Sequence, residues 1–357
     1  MTPAAPRVAI VVVNFNGTDD THTCLRSLRE LDYPNAEVVL VDNGSKPPVG
    51  AEFAAAYPWV RVIQNPVNGG WAGGNNVGVR DALARGAEYF VLLNNDTVVA
   101  PNLVTRLLAG LSAGYGVVGP LVHWMDEPDV VMMDGCTFDA DGSASFFDRP
   151  VIAPASQSSV AGVCDPGSLG AREAPGSQTP ATGKPSPAIT EVEIVYGCCL
   201  TTSAEVFRRV GLLDERFFLI HEESDFCLRA RRAGFRCGVL PEPLVWHKGS
   251  SSFQREGKPL QRYFDARNLF LLMRKHVGRY RRPPARLRSW RKYLKHVYYF
   301  YCLSRDRGND AAATAVLDGL HDALSGHFGP LKARPRPFVP LMRWTFERWR
   351  RRKGTPA

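Results

Sequence analysis

Two groups of acidic residues carry the side chains of this chain that are best suited to chemistry. Asp96 belongs to the run L-N-N-D-T, directly after an apolar stretch over residues 89–93. The second group is H-E-E-S-D, which contains Glu222, Glu223 and Asp225. A carboxylate can bind a divalent cation, and a carboxylate beside a hydroxyl group can accept its proton. The sequence therefore supplies a candidate metal ligand and candidate bases.

Polar residues follow three predicted strands at the point where each strand ends. Residues 8–13, 37–41 and 89–93 are largely apolar runs, and helical patterns separate them. Strands that alternate with helices are typical of an α/β protein with a mainly parallel sheet flanked by helices. Ligands bind at the carboxyl ends of such strands. We therefore expect the polar residues after these strands to share one crevice. They are Asn14, Asn16, Asp42, Asn43, Asn94, Asn95 and Asp96.

The segment N-P-V-N-G-G-W-A-G-G-N-N-V-G, residues 65–78, is a candidate ligand-binding loop. Its glycines allow the backbone to pass close to a ligand, and the first amides of the helix that begins near Asn75 can face an anion. A nucleoside diphosphate attached to a sugar fits this loop, because nearby amide and carboxylate side chains can bind a base and a ribose. A glycine-rich helix start without a ligand is the alternative.

Length and composition indicate a globular protein with one large α/β domain and an appended region. The chain has 357 residues and a hydrophobic fraction of 45%. Residues 150–190 are rich in Pro, Ser, Gly and Ala, which predicts a flexible insertion. The eight cysteines include no C-x-x-C pair, so we expect mostly buried thiols in a reducing compartment. Neither a secretory signal nor a membrane-spanning stretch is evident. We therefore expect a cytoplasmic protein.

Positive charge is concentrated at the carboxyl-terminal end of the chain. Residues 255–357 contain 25 Lys and Arg against 7 Asp and Glu, a net +18, whereas residues 1–254 contain 19 against 28, a net −9. Predicted helices there mix cations with aromatic residues, which favours an anionic membrane surface over nucleic acid as the partner. Ordinary helices whose basic side chains cover the rest of the protein are the alternative. The apolar residues in question are Trp290, Tyr293, Leu294, Tyr298, Tyr299, Phe300 and Tyr301.

Five of these motifs, in this order, resemble the family 2 inverting glycosyltransferases. They are V-V-V-N-F-N-G, V-D-N-G-S, N-G-G-W-A-G-G-N-N, L-N-N-D-T and F-F-L-I-H-E-E-S-D-F-C-L-R. Several members of that family transfer L-rhamnose during the assembly of cell-surface polysaccharides. The resemblance implies a GT-A fold, a nucleotide-sugar donor, a divalent metal (Mg²⁺ or Mn²⁺) and inversion at the anomeric carbon. With the change in composition near residue 258, we predict a catalytic domain over residues 1–257 and a basic helical region over residues 258–357.

Carried over position by position, the resemblance places the donor in the loops that follow the strands. The predicted donor-binding residues are Asn14, Asn16, Asp42, Asn68, Gly69, Gly73, Asn75 and Asn95. Asp96 matches the final acid of the family's metal motif, although Asn94 stands where many relatives have an acid. His247 matches a position at which some relatives supply an imidazole to the metal, and a hydrogen-bonded loop histidine is the alternative. Asp96 alone would hold the ion weakly, so the donor's diphosphate is expected to complete the coordination.

The H-E-E-S-D cluster is expected to supply the base that inversion requires. Glu223 matches the family's catalytic position, which is usually Asp, and Glu222 would orient the acceptor. Asp225 is the alternative base, or a residue that favours the start of a helix. We therefore predict a metal-dependent glycosyltransferase that moves L-rhamnose from dTDP-rhamnose, or a sugar from a UDP donor, to a hydroxyl of a glycan. A lipid-linked glycan acceptor would place the enzyme peripherally on the inner face of the cell membrane.

Other functions agree less well with the same residues. His221 and Glu222 begin like the zinc-peptidase motif H-E-x-x-H, but Asp225 stands where the second His is needed. The first strand is not followed by the G-x-G-x-x-G turn of nicotinamide dehydrogenases. A nucleotidyltransferase would need a basic, glycine-rich loop there, and residues 14–20 contain neither Lys nor Arg. A catalytically silent sugar- or lipid-binding scaffold stays open, because Asn94 and Glu223 differ from the commoner acids.

Overall fold

The computed structural model describes residues 5–136, 188–249, 258–276 and 283–352. Most of the predicted insertion over residues 150–190 and the predicted domain boundary at residue 257 lie outside these ranges. The strands are β1 Val8–Asn14, β2 Ala36–Asn43, β3 Val60–Asn65, β4 Tyr89–Asn94, β5 Thr97–Val99, β6 Tyr115–Trp124, β7 Val131–Met133, β8 Thr190–Val192, β9 Cys199–Ser203 and β10 Arg236–His247. The helices are α1 Thr18–Leu28, α2 Gly50–Ala56, α3 Gly70–Ala84, α4 Leu103–Ser112, α5 Ala204–Val210, α6 Glu222–Arg232, α7 Lys258–His276, α8 Pro283–Asp306, α9 Asp310–Leu324 and α10 Val339–Arg352.

One sheet connects the strands, in the order β3-β2-β1-β4-β9-β6-β10-β5, with β7 beside β6 and β8 beside β10. The first four strands of this order are parallel. β9 runs antiparallel to both β4 and β6, and β10 runs parallel to β6. Strand direction reverses from β4 to β9 and reverses again from β9 to β6. Therefore β6 and β10 point the same way as the first four strands. The predicted α/β class is confirmed, and the sheet is mixed beyond β4.

The central strands are apolar because both faces of the sheet are covered, as is usual for parallel strands. Residues 8–12 of β1 are fully buried. Amphipathic α1 covers one face with Cys24, Leu25 and Leu28. On the other face α3 lies close to β1, since a Cβ at Gly78 would come within 2.5 Å of Val11 Cγ1. This close packing fixes the glycine-rich loop that precedes α3 against the carboxyl ends of the strands.

The carboxyl-terminal region is helical, as predicted, and it packs onto the sheet region. The apolar residues of α7 join the same core cluster as Phe90 of β4 and Phe226 of α6. Tyr293 and Tyr301 of α8 are buried in that cluster, so the prediction that they face a partner surface is wrong. Their rings are covered because α8 packs against α7, where the Tyr293 hydroxyl donates to the Ala266 carbonyl at 2.9 Å. Of the ring-bearing residues named above, Trp290 and Tyr299 are exposed.

The helices of the described residues differ in length and hydropathy. None of these helices is both long and apolar enough to cross a lipid bilayer.

Candidate active site

Asp96 and His247 meet at the carboxyl edge of the sheet. β5 begins directly after Asp96 and pairs antiparallel with the end of β10, which brings His247 opposite Thr97. The Nε2 atom of His247 lies 2.9 Å from Oδ1 of Asp96, and both side chains are less than a tenth exposed. His247 is the last residue of β10, so it lies on a strand and not on a loop. The strand continues past Pro241 and Pro243, which lack the N–H for regular pairing, through shifts of register against β6.

Asn94 connects this pair to the glycine-rich loop. Its Oδ1 accepts a hydrogen bond of 2.8 Å from Nε1 of Trp71, and its Nδ2 lies 3.3 Å from Nε2 of His247. The position where many relatives have an acid is therefore a neutral link between the imidazole and the indole ring. Trp71 was not predicted as a site residue, although it is the one aromatic side chain in the segment of residues 65–78.

Glu223 lies on the other side of Trp71, in the first turn of α6. A Cβ at Gly197 would lie 3.4 Å from Cη2 of Trp71 and 3.5 Å from Cβ of Glu223, so this glycine leaves room where the two side chains approach. The Glu223 side chain is partly exposed, and Oε1 accepts a hydrogen bond of 3.0 Å from the Ser224 hydroxyl. Burial raises the pKa of Glu223, and amides at the start of the helix offset part of that rise. Glu223 can therefore accept a proton more readily than an ordinary glutamate.

A buried thiol lies close to both acids. Burial and the nearby charges of Asp96 and Glu223 raise the pKa of Cys198 to about 12. The Cys198 carbonyl also accepts a hydrogen bond of 2.9 Å from the Asn94 amide. The charges of both carboxylates therefore act on the same buried thiol.

Glu222 differs from its neighbour Glu223. Its side chain is buried, and within the described part of the chain its Oε2 atom has no hydrogen-bond partner. Burial and the adjacent charge of Glu223 raise the pKa of Glu222 well above its usual value. Glu222 therefore holds a proton more readily than an ordinary glutamate, and in that form it can donate a hydrogen bond.

Asp225 is held in a buried network of cations. It accepts hydrogen bonds from Nε of Arg229 at 2.8 Å and Nε2 of His276 at 2.7 Å, and Nζ of Lys275 lies 2.5 Å away. Burial alone would raise the pKa of Asp225, but His276, Arg229 and Lys275 hold it below the usual value. Because its side chain is fully buried and strongly paired, Asp225 is poorly placed to act as a base. The geometry favours its other predicted role, at the start of α6, and adds a link to α7.

Asn14 and Asp42, predicted to bind the donor, lie side by side at the ends of β1 and β2. Nδ2 of Asn14 donates to Oδ1 of Asp42 at 3.2 Å, and Oδ1 of Asn14 accepts from the Thr21 hydroxyl at 3.0 Å. Both side chains are fully buried. These bonds fix the loop after β1, which presents Asn16 as an exposed residue with a positive φ of 52°. Asn95 supports the same loop through a bond of 2.9 Å to the Thr21 hydroxyl.

Asn43, which was noted at a strand end but not assigned to the site, organises the glycine-rich loop. Its Nδ2 donates to Oδ1 of Asn68 at 3.1 Å and to the Gly70 carbonyl at 3.0 Å, and its Oδ1 accepts from the Gly69 amide at 3.1 Å. The signal for this role was its position at the end of β2. The loop then leads into α3, where Gly73 and Asn75 are buried. Nδ2 of Asn75 donates to the Trp71 carbonyl at 2.9 Å.

Comparison with known proteins supports this arrangement of the amino-terminal half. The model of the protein family described as Glycosyl transferase family 2 matches residues 9–153. The dTDP-rhamnosyl transferase RfbF of Shigella flexneri is 25% identical over 273 residues, which cover 74% of this chain and 79% of that protein. The N-acetylglucosaminyl-diphospho-decaprenol L-rhamnosyltransferase of Mycobacterium tuberculosis is 24% identical over 296 residues, 79% of this chain and 88% of that protein.

A similar solved structure is the mannosyltransferase PcManGT from Pyrobaculum calidifontis, at 16% identity and a TM-score of 0.49, covering 99% of this chain and 84% of that one. The family match and the two sequence relatives agree with the motifs at the strand ends. The chain therefore carries a glycosyl transferase family 2 domain and is a glycosyltransferase.

Proposed function

We propose that this glycosyltransferase is metal-dependent and inverting, and that it moves L-rhamnose from dTDP-rhamnose to a hydroxyl of a lipid-linked glycan. A sugar carried by UDP is the second choice of donor. The observation that carries the proposal is the position of Trp71, whose indole N–H bonds to Asn94, two residues before Asp96, and whose ring approaches Glu223 beside Gly197. The relatives from Shigella and Mycobacterium are a dTDP-rhamnosyl transferase and an N-acetylglucosaminyl-diphospho-decaprenol L-rhamnosyltransferase, which supports the choice of sugar and of a lipid-linked acceptor.

Inversion requires a base on the face of the sugar opposite the leaving group. Glu223 fits this role because it is partly exposed and because its pKa is raised by burial. Glu223 would accept the proton of the acceptor hydroxyl as that oxygen bonds to the anomeric carbon and the nucleoside diphosphate departs. Glu222, whose pKa is also raised by burial, would in its protonated form hold the acceptor by a donated hydrogen bond. The indole ring of Trp71 lies where it can pack against the sugar ring.

Asp96 and His247 fit a divalent cation. A carboxylate and an imidazole face each other there in a buried setting, and the Nδ1 atom of His247 has no hydrogen-bond partner among the described residues. When bound, the cation would act as a Lewis acid for the departing diphosphate. No group of three or more His, Cys, Asp or Glu suited to a metal occurs within the described ranges. Further ligands would have to come from the donor and water, so the metal and the nucleotide should bind together.

The donor would lie along the loops that follow β1, β2 and β4. Exposed Asn16 and partly exposed Asn68 can bind polar groups of the nucleotide. Gly73 leaves space beside the backbone, and Gly69 lets the first turn of α3 come close, since a Cβ there would lie 3.2 Å from Cα of Gly73. Asn14, Asp42 and Asn95 would act mainly by fixing these loops, since their side chains bond to neighbouring residues.

A panel of nucleotide sugars, tested by thermal unfolding with Mn²⁺, examines the choice of donor. We expect dTDP-rhamnose, or failing that a UDP-sugar, to raise Tm only when Mn²⁺ is present. A ligand at one hundred times its Kd stabilises the native state by about 2.7 kcal/mol. Turnover should then release a nucleoside diphosphate, which excludes nucleotidyl transfer. Binding without turnover on any lipid-linked acceptor would indicate a silent scaffold, and stabilisation by no nucleotide sugar would contradict the proposal.

The outer face of α10 is a candidate surface for the membrane. Phe338, Leu341 and Trp344 are each more than half exposed and recur at helical spacing. Exposed Arg348 continues the same stripe, with its guanidinium 5.2 Å from the Trp344 ring centre. Apolar side chains beside cations are what an interfacial helix needs to bind anionic lipid. We therefore propose an anionic membrane surface as the partner of this face, on the inner side of the cell membrane.

Replacing Leu341 and Trp344 together with serine should weaken binding to vesicles that contain phosphatidylglycerol by tenfold or more. Each exposed apolar side chain contributes on the order of 1 kcal/mol when it enters the interface. Cosedimentation with vesicles measures the effect, and vesicles of pure phosphatidylcholine show the contribution of lipid charge. Trp59→Ser is the matched control, because Trp59 is exposed in the amino-terminal half. If the double variant binds as the wild type does, this face is not the membrane surface.

A further inference from the structure

The loop of residues 216–221, which leads into the acidic start of α6, has an unusual backbone. Phe218, Ile220 and His221 have positive φ values of 67°, 69° and 73°. A side chain that is not glycine is strained in this conformation, at a cost of roughly 1–3 kcal/mol for each residue. Such a conformation persists only where the surroundings impose it. The contacts that impose it here come from a helix far away in the sequence.

Asn268 of α7 binds the carbonyl groups of this loop. Its Nδ2 donates toward the carbonyl oxygens of Phe217 at 2.8 Å, Leu219 at 2.5 Å and Ile220 at 2.9 Å. The Asn268 side chain is fully buried. The two N–H bonds of this amide group are thus shared among three carbonyl oxygens, which the strained backbone turns toward α7.

Arg267, the preceding residue, makes a second set of bonds to the same loop. Its Nη2 donates to the Phe217 carbonyl at 2.8 Å, and its Nη1 donates to the Gly329 carbonyl at 2.5 Å. Arg267 is 1% exposed, and burial lowers the pKa of its guanidinium. Burying an arginine is costly unless its donors are bonded. The N–H donors of Arg267 are bonded to the 216–221 loop and to the chain after α9.

The opposite side of the loop touches the glycine-rich donor loop. The Phe218 carbonyl accepts a hydrogen bond of 3.3 Å from the Ala72 amide. A Cβ at Gly70 would lie 2.2 Å from that same carbonyl oxygen, so only glycine fits there. The 216–221 loop is therefore held between α7 and the proposed donor site, and it ends directly before Glu222 and Glu223.

We propose that Arg267 and Asn268 are positioning residues for the transfer reaction. They hold the 216–221 loop in its strained form, and the loop fixes both the first turn of α6 and the backbone beside Gly70. The carboxyl-terminal helix α7 is thereby part of the catalytic assembly. This inference rests on the proposed role of Glu223 as the base.

The setting of Glu223 gives this inference a specific readout. The charge of Glu223 affects the pKa of five neighbouring titratable groups. They are Glu222 and Cys227 on α6, Tyr196 and Cys198 before β9, and Cys136 after β7. A loosened loop would leave these neighbours in place but admit water to the first turn of α6. The acidic limb of the pH profile of kcat should then move to lower pH.

Asn268→Asp tests the inference, because it keeps the shape of the side chain but replaces the donors with a carboxylate facing three carbonyl oxygens. We expect kcat to fall by roughly 10²-fold, the usual effect of a displacement of about 1 Å at a reacting group. The acidic limb of kcat should shift downward, and donor affinity should also weaken because the loop contacts Gly70. Arg267→Lys keeps the positive charge but offers one nitrogen in place of the guanidinium group. It should give a decrease in kcat and a shift of the acidic limb that lie between those of the wild type and Asn268→Asp.

Tyr263→Phe is the matched control on the same helix. It removes a buried hydrogen bond of 2.7 Å to Asp322 and should lower Tm without changing the pH profile. If Asn268→Asp and Arg267→Lys also lower Tm alone and keep the pH profile of the wild type, the inference is overturned.

Hydrogen exchange of the amides of residues 217–223 tests the loop without reference to turnover. Loss of the Asn268 donors should speed this exchange by about tenfold or more, since each lost hydrogen bond weakens protection by about 1 kcal/mol. Unchanged exchange in Asn268→Asp overturns the inference even if the enzyme transfers rhamnose. Conversely, a wild-type protein that transfers no sugar while this exchange responds would refute the proposed function and leave the loop contacts established.

Discussion

Glu223→Gln is expected to lower turnover by roughly 10²-fold or more while leaving donor affinity close to that of the wild type. The amide cannot accept the proton of the acceptor hydroxyl, and general base catalysis is commonly worth 10²–10⁴-fold. Steady-state kinetics with the donor selected by the thermal-unfolding panel measures turnover, and the Kd for the nucleotide measures donor affinity. Near-normal turnover in this variant would remove Glu223 from the role of base.

The same residue predicts how activity and stability depend on pH. Activity should be lost as the pH falls through the raised pKa of Glu223, because the protonated form is not a base. A raised pKa also means that the folded state binds the proton more tightly than the unfolded state. The contribution of Glu223 to the free energy of unfolding is therefore lost as the pH rises from about 4.3, the ordinary pKa of a glutamate, through the raised pKa. Glu223→Gln should accordingly gain free energy of unfolding relative to the wild type at neutral pH, and not at acid pH.

Asp225→Asn is the matched control for the Glu223 variant. It makes a similar chemical change two positions along the same helix, but it leaves buried His276 and the half-buried Arg229 and Lys275 without this buried carboxylate. Removing one partner from a buried ion pair costs about 3–5 kcal/mol. Urea unfolding should therefore show a large loss of stability, with the acidic limb of kcat unchanged. A stable but inactive Asp225 variant would reverse the assignment of the two acids.

Asp96→Asn should abolish most of the metal-dependent turnover, by on the order of 10²-fold or more. Lewis-acid stabilisation of a leaving group is worth several kcal/mol, and each 1.36 kcal/mol is a factor of ten. The proposal also predicts that Mn²⁺ and a nucleoside diphosphate raise Tm together in the wild type but not in this variant. That measurement does not depend on activity. Continued stabilisation of the variant by both ligands together would show that Asp96 is not a metal ligand.

Asp32→Asn controls for the loss of one negative charge. Asp32 is exposed and follows α1, so it lies at the edge of the sheet opposite the proposed metal site. Its replacement should leave the response to Mn²⁺ and turnover at the level of the wild type. His247→Gln should fall between the control and Asp96→Asn, because a neutral ligand contributes less than a carboxylate to holding a divalent cation.

Much of the fold could be predicted from local patterns in the sequence. Apolar runs that alternate with amphipathic helices gave β1, β2 and β4 close to their observed bounds. Since parallel strands end at the same edge, their terminal polar residues had to lie near each other. This reasoning placed Asn14 beside Asp42, as the structure has them, because it depends only on strand direction and not on long-range pairing.

Long-range pairing decided the partner of Asp96. His247 is 151 residues away, and the contact depends on the antiparallel pairing of β5 with β10. Two prolines made that part of β10 resemble a loop in the sequence. Register shifts let the strand pass them, which a local pattern does not reveal.

The sequence by itself determined the class of the fold, the edge at which the site lies and the set of acids from which a base can be drawn. Only the tertiary structure distinguishes those acids by their surroundings, since it buries Asp225 against Lys275 and His276 of α7 and leaves Glu223 partly exposed near Trp71. Periodicity reflects interactions within a few residues, whereas the basicity of a carboxylate depends on the charges and solvent that the folded chain brings to it.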